Sequence, residues 1–179
     1  MGIPTLIGSA HTASNAASIE ITSGIDGTYD EYMFVMTDMF PHTNGENMRV
    51  TFSTDGGTGY GLTKTSAFFH AQHYESGSGG SVSYDSSYDS AQSTAAQNLT
   101  YSTGGDADQS YSGIMRLWQP SSTTFQKHFY ARTIAYQSSD RATDTFIVGY
   151  VNTTSAVDAI QFAMHDGNFD SVIQMYGIE

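Results

Sequence analysis

From Ser18 onward the chain carries apolar residues at every second position in short runs, the period of a pleated strand rather than of a helix. Ile19 and Ile21 flank Glu20 and predict a short first strand. Tyr32, Phe34 and Met36 alternate with Met33 and Val35, so the next strand is apolar on both faces and should be central. Met48, Val50 and Phe52 alternate with Arg49, Thr51 and Ser53, which predicts one buried face and one wet face. Residues 114–118 and 125–136, the alternations Phe146/Val148/Tyr150 and Ile160/Phe162/Met164, and residues 172–178 continue the theme. Such runs at intervals of roughly 10–20 residues predict an all-β fold, an antiparallel two-sheet β-sandwich of jelly-roll-like type. Its expected core is Tyr32, Phe34, Met36, Val50, Phe52, Phe146, Val148, Ile160 and Phe162, because each alternating set must share one face.

Turn chemistry falls between the runs at Asp26-Gly27, Asn44-Gly45, Asp55-Gly56 and Asp166-Gly167. The last sits between two strand-like runs and predicts a hairpin. Residues 1–17 are small, mostly uncharged and aperiodic, and are expected to form an extended N-terminal arm, leaving 18–179 as a single sandwich domain. The arm's apolar residues Ile3, Leu6 and Ile7 are candidate anchors on a neighbouring subunit. Residues 76–111 are rich in Gly, Ser, Asp and Tyr, and read as exposed loops around one weak strand near residues 81–84.

Composition narrows the function. The 179 residues hold six Lys and Arg against 18 Asp and Glu, a net charge of −12, and no Cys. Nucleic-acid binding is not expected, since phosphate contacts need cationic side chains. An anionic membrane surface is disfavoured for the same reason, and neither a secretion signal nor a run long enough to span a bilayer is present in this stretch. The missing thiols exclude a disulfide framework, a thiolate zinc site and a cysteine nucleophile.

The candidate motifs fail one by one. In Gly56-Gly57-Thr58-Gly59-Tyr60-Gly61, Lys64 comes too late to serve a phosphate loop, so the segment reads as a glycine-rich turn. His70 and His73 are three apart, which on a strand places the imidazoles on opposite faces, away from a shared metal. Asp106 and Asp108 alternate as calcium ligands do, but Tyr111 and Leu117 stand where an EF-hand needs Gly and Glu; a looser calcium site in that loop is left open. No nucleophile elbow is present. No catalytic residue, cofactor or metal ligand is therefore assigned, and the chain is not expected to be an enzyme.

Ser23-Gly24-Ile25-Asp26-Gly27-Thr28-Tyr29-Asp30-Glu31-Tyr32-Met33-Phe34 resembles the opening of a β-rich module in virion structural proteins of marine tailed bacteriophages. Residues 120–129, 149–160 and 173–178 resemble the same family, so the similarity runs from about Ser18 to Ile178. The resemblance implies a protein of the particle surface: a capsid decoration or knob (cement) protein, or alternatively a tail-fibre or other tail component. It implies a virion location, other virion proteins (the major capsid protein or tail proteins) as partners, and a homo-oligomer, with a trimer expected. A carbohydrate-binding module for host recognition is the reading from a different class. These segments are not catalytic motifs and imply no site residues.

Overall fold

The computed structural model describes residues 2–179, and alternation becomes strand wherever it was expected from Ser18 on. Fourteen strands form: β1 (Thr5–Leu6), β2 (His11–Ala16), β3 (Ser18–Ile21), β4 (Glu31–Pro41), β5 (Met48–Ser53), β6 (Lys64–Tyr74), β7 (Ser81–Tyr84), β8 (Ser90–Ser93), β9 (Gln97–Asn98), β10 (Tyr111–Trp118), β11 (Lys127–Gln137), β12 (Arg141–Val151), β13 (Ala159–Met164) and β14 (Phe169–Ile178). They build two antiparallel sheets. The large one has ten strands in the order β1-β14-β4-β10-β11-β12-β6-β7, with β2 also on β14 and β8 also on β6. The small one has four, β3-β13-β5-β9. The chain passes repeatedly between sheets, as jelly rolls do, and stays in the large one for the β10-β11-β12 meander.

The core lies between the sheets. Tyr32, Phe34 and Met36 of β4, Met115 and Leu117 of β10, Phe129 of β11 and Phe68 of β6 point inward from the large sheet and are buried. Ile19, Ile21, Val50, Phe52, Ile160 and Phe162 meet them from the small one. Phe34 touches Phe162 at 5.7 Å between ring centroids, and Phe52 touches Phe129 at 5.4 Å. Seven of the nine expected core residues are therefore in place.

Phe146 and Val148 are not. Both point outward from β12, and Val148 is 46% exposed. The inward phase of that strand is Thr143, Thr145, Ile147 and Val151, all buried. The alternation was real, but period two says which residues share a face and not which face turns inward.

Two further expectations change. Asp166-Gly167 does not close a hairpin, because β13 lies in the small sheet and β14 in the large one; it turns the corner between sheets, with Gly167 at a φ of 75°. The N-terminal arm is extended, yet residues 2–16 run back along β14 of their own domain. The Ile7 amide donates to the Met175 carbonyl (2.8 Å) and the Asn15 amide to Asp170 Oδ1 (2.6 Å). Ala13 is buried and Ile7 packs on the core. Without this cover the apolar strand β14 would be an open edge with a row of unpaired backbone groups. Ile3 and Leu6 stay exposed.

Candidate interaction face

The two sheets differ on their outer sides. On the small sheet the outward residues form a polar ladder: Gln161 donates to Glu20 Oε1 (2.8 Å), Thr51 donates to Gln161 Oε1 (3.4 Å), and Arg49 donates to Asn98 Oδ1 (2.9 Å). A two-layer sandwich facing water reads this way.

The large sheet does not. Outward from β10, β11, β12 and β6 stand Ile114 and Trp118, Tyr130 and Ile134, Phe146, Val148 and Tyr150, and Ala67, Phe69 and Ala71. Ile134 is 60% exposed and Phe69 37%. Cross-strand register sets Arg132, Phe146 and Phe69 side by side in one row. The Phe69 and Phe146 rings stack at 5.0 Å with 1° between their planes, and the Arg132 guanidinium lies 4.6 Å above Phe146.

The charges on this face are paired within it. Arg132 donates twice to Asp144, at 3.0 Å and 2.7 Å, and Arg116 meets Glu31 of β4 at 2.6 Å. Outward positions of the four strands carry no other ionised Lys, Arg, Asp or Glu. Bonding to Asp144 pushes the Arg132 pKa up.

Shallow hollows dent the same surface. One of about 650 Å³ is lined by Ala67, Trp118, His128, Tyr130, Val148 and Tyr150. A second, about 610 Å³, lies between His73, Glu75, Ser112, Ile134 and Tyr136. There a hydrogen bond to the Glu75 carboxylate pushes the Tyr136 phenol up to about 12.

The other candidates of the sequence are placed as follows. His70 and His73 of β6 point to opposite sides, as their spacing predicts. His70 is buried and stacked on Tyr101 at 4.3 Å, burial lowers its pKa, and His73 is exposed. In the glycine-rich turn Asp55 Oδ1 accepts from Ser53 Oγ (2.5 Å) and the Gly59 amide (2.9 Å), while Lys64 points into the interior. The loop at Asp106 and Asp108 is closed by Gln109, whose Oε1 accepts from the Asp106 amide (3.1 Å), and both carboxylates are exposed. Among the described residues no three His, Asp or Glu side chains come together as metal ligands would.

Sequence reasoning missed two buried cations. Lys64 and Lys127 are both wholly covered, on either side of Val151 in one cross-strand row. Lys127 donates to the carbonyls of Ser122 (2.5 Å), Phe125 (3.0 Å) and Thr153 (3.1 Å), tying together the loops that follow β10 and β12. Lys64 donates to the Leu62 carbonyl (2.8 Å), and burial lowers its pKa to about 8. All six Lys and Arg side chains arise from strands. The segments 23–34, 120–129 and 149–160 meet at this end of the sandwich, where the Gln119 amide bonds the Asp30 carbonyl (2.6 Å) and the Val157 amide the Pro120 carbonyl (2.9 Å).

Comparison of the chain with protein-family models, with curated proteins and with solved structures finds no match.

Proposed function

We propose that this protein is a structural subunit of a virus particle, exposed on the particle surface and working by protein–protein contact. Within that setting the favoured role is a capsid decoration or cement protein on the major capsid protein; a tail component is the alternative. The observation that carries the assembly reading is the outer face of β10, β11, β12 and β6 in the large sheet. A sandwich whose second face is apolar, aromatic and internally charge-neutral is built to be covered, whereas a sheet meant for water alternates apolar with polar. The particle setting rests on the resemblance of residues 23–34, 120–129, 149–160 and 173–178 to tailed-phage virion proteins. Segments 23–34, 120–129 and 149–160 meet at one end of the fold, and Lys127 ties the last two together.

The carbohydrate-binding reading draws on one observation, the grouping of Trp118, Tyr130 and Tyr150 around the 650 Å³ hollow. Aromatic rings suit the apolar face of a sugar. Sugar hydroxyls also need hydrogen-bond partners, and the lining of this hollow is overwhelmingly apolar. That favours a protein surface over a glycan.

The test is to purify the particles produced with this chain and reconstruct them. Density for the two-sheet sandwich on the exterior is the expected result. Its absence from intact particles, or tight binding of a polysaccharide by the purified chain, would overturn the reading.

A further inference from the structure

We propose that the interior holds a small cluster of bound water molecules between the segment 99–103 and the inner side of β6, β12, β11 and β10, hydrogen-bonded to His70, Thr103, Tyr111, Thr143 and Thr145. The site stands independently of the particle reading above.

The inner side of the large sheet is not apolar throughout. The cross-strand row Phe68, Ile147, Ala131, Met115 and Phe34 is wholly apolar, and Phe34 meets Phe162 of the small sheet. Two residues along the strands the row becomes His70, Thr145, Thr133 and Gly113, and two further on Gln72, Thr143, Ala135 and Tyr111. Thr103 then stands opposite Gln137. The segment 99–103 covers this polar end: Thr133 donates to the Leu99 carbonyl (2.6 Å), Tyr101 stacks on His70, and the Thr103 amide donates to the Glu46 carbonyl (3.0 Å).

Hydrogen-bond accounting carries the site. Among the described residues seven buried side-chain polar atoms have no protein partner, and five are here: His70 Nδ1, Thr103 Oγ1, Tyr111 Oη, Thr143 Oγ1 and Thr145 Oγ1. None of these residues is more than 3% exposed. A buried hydroxyl left bare costs at least as much as a hydrogen bond gains, and native interiors rarely tolerate five together. The protein has little more to offer them. The β6-β12-β11 ladder runs in unbroken register, so its backbone groups are engaged. Arg141, on the same strand, already gives Nε to Gln137 and Nη1 to Gln72, both at 2.7 Å.

Chemistry names the ligand. The five groups are hydroxyls and one imidazole; burial pushes the Tyr111 phenol well up and the His70 imidazole down, which keeps both neutral. A hard metal ion would need carboxylates, and an anion would need cationic donors. Water donates and accepts, and makes about three bonds in such sites. Opposed residues on neighbouring strands have Cβ atoms about 4.5–5.5 Å apart, and Thr143 and Thr145 are about 7 Å apart along β12, spans that one or two waters bridge. Ala135 places only a methyl group between Thr143 and Tyr111.

The test has a direct arm and an energetic one. A high-resolution crystal structure of the full chain should show ordered water within hydrogen-bond distance of Thr143 Oγ1 and Thr145 Oγ1. Thr143→Val and Thr145→Val keep the shape and remove the hydroxyl, and each should lower Tm by about 2–4 °C. A hydroxyl with no partner at all predicts the opposite sign, because valine then relieves a bare polar group. The double variant should lose less than the sum of the two, since both hydroxyls hold the same waters. A dry site in the electron density, a Tm that holds or rises in either single variant, or full additivity in the double would each overturn the proposal.

Discussion

Phe34 and Phe146 are aromatic residues on strands of the same sheet, and truncating each to Ala measures which side of the sheet is the core. Phe34 is fully buried and bridges to Phe162 of the opposite sheet at 5.7 Å, so its loss opens a cavity between two layers that cannot both collapse into it. Phe→Ala at such a site costs about 3–5 kcal/mol. Phe146 loses a stack on Phe69 and a guanidinium at 4.6 Å, with solvent on its other side. A cross-strand pair and an exposed cation–π contact together come to about 1 kcal/mol. At about 2–4 °C per kcal/mol for a chain of this size, Phe34→Ala should lower Tm by about 6–20 °C and Phe146→Ala by about 2–4 °C. Thermal unfolding followed by circular dichroism at about 1 µM, where association contributes least, makes the comparison. Equal losses for the two variants would refute the assignment of inner and outer faces.

Lys64 makes stability depend on alkaline pH. Its pKa falls from 10.5 to about 8 in the fold, so between these values the unfolded chain holds a proton that the folded chain has released; stability then rises with pH above about 8 until tyrosines begin to ionise. Urea midpoints from pH 7 to 10 should show that rise, and Lys64→Met should flatten it. Deleting residues 1–17 should destabilise the domain by about 2 kcal/mol or more and so lower Tm rather than spare it, because ladder bonds to β14 and the burial of Ala13 are lost with the arm. Gly177→Ala should destabilise the end of β14, since a Cβ there runs into the Tyr29 ring; a second change, Tyr29→Ala, should recover part of the loss in the same melting experiment.

Strands were legible where alternation was clean. β3, β4, β5, β13 and β14 stand where their Ile, Phe, Val and Met residues predicted. β6 was passed over because Phe68 and Phe69 are adjacent and most of its other positions are Thr, Ser, Ala, Gln and His, which blurs the period. The arm was misjudged because small residues carry no pattern, and what orders them is the need of a distant strand for an edge partner. In β12 two threonines occupy the interior while Phe146 and Val148 face out, a phase that only the position of the second sheet decides. The candidate face did have a signal. Met33 and Val35 already showed a strand apolar on both sides, and a strand of that kind needs two covers where a two-layer sandwich supplies one. Nothing in the composition marked Lys64 and Lys127 as internal, because their carbonyl partners come from loops that meet only in the folded chain.

The confinement of all six Lys and Arg residues to strands bears on resistance to proteolysis. A trypsin-type protease cuts after these residues and needs a mobile, extended stretch of some length to seat in its cleft. Here every such bond lies in or at the end of a hydrogen-bonded ladder, and two of the side chains are sealed inside. The long acidic connection between Lys64 and Arg116, the part of the chain richest in exposed loop, contains no cleavage point of this class at all. The exposed loops can therefore stay open and polar without becoming digestion sites, and the rate of tryptic attack is set by the opening of the sheets themselves.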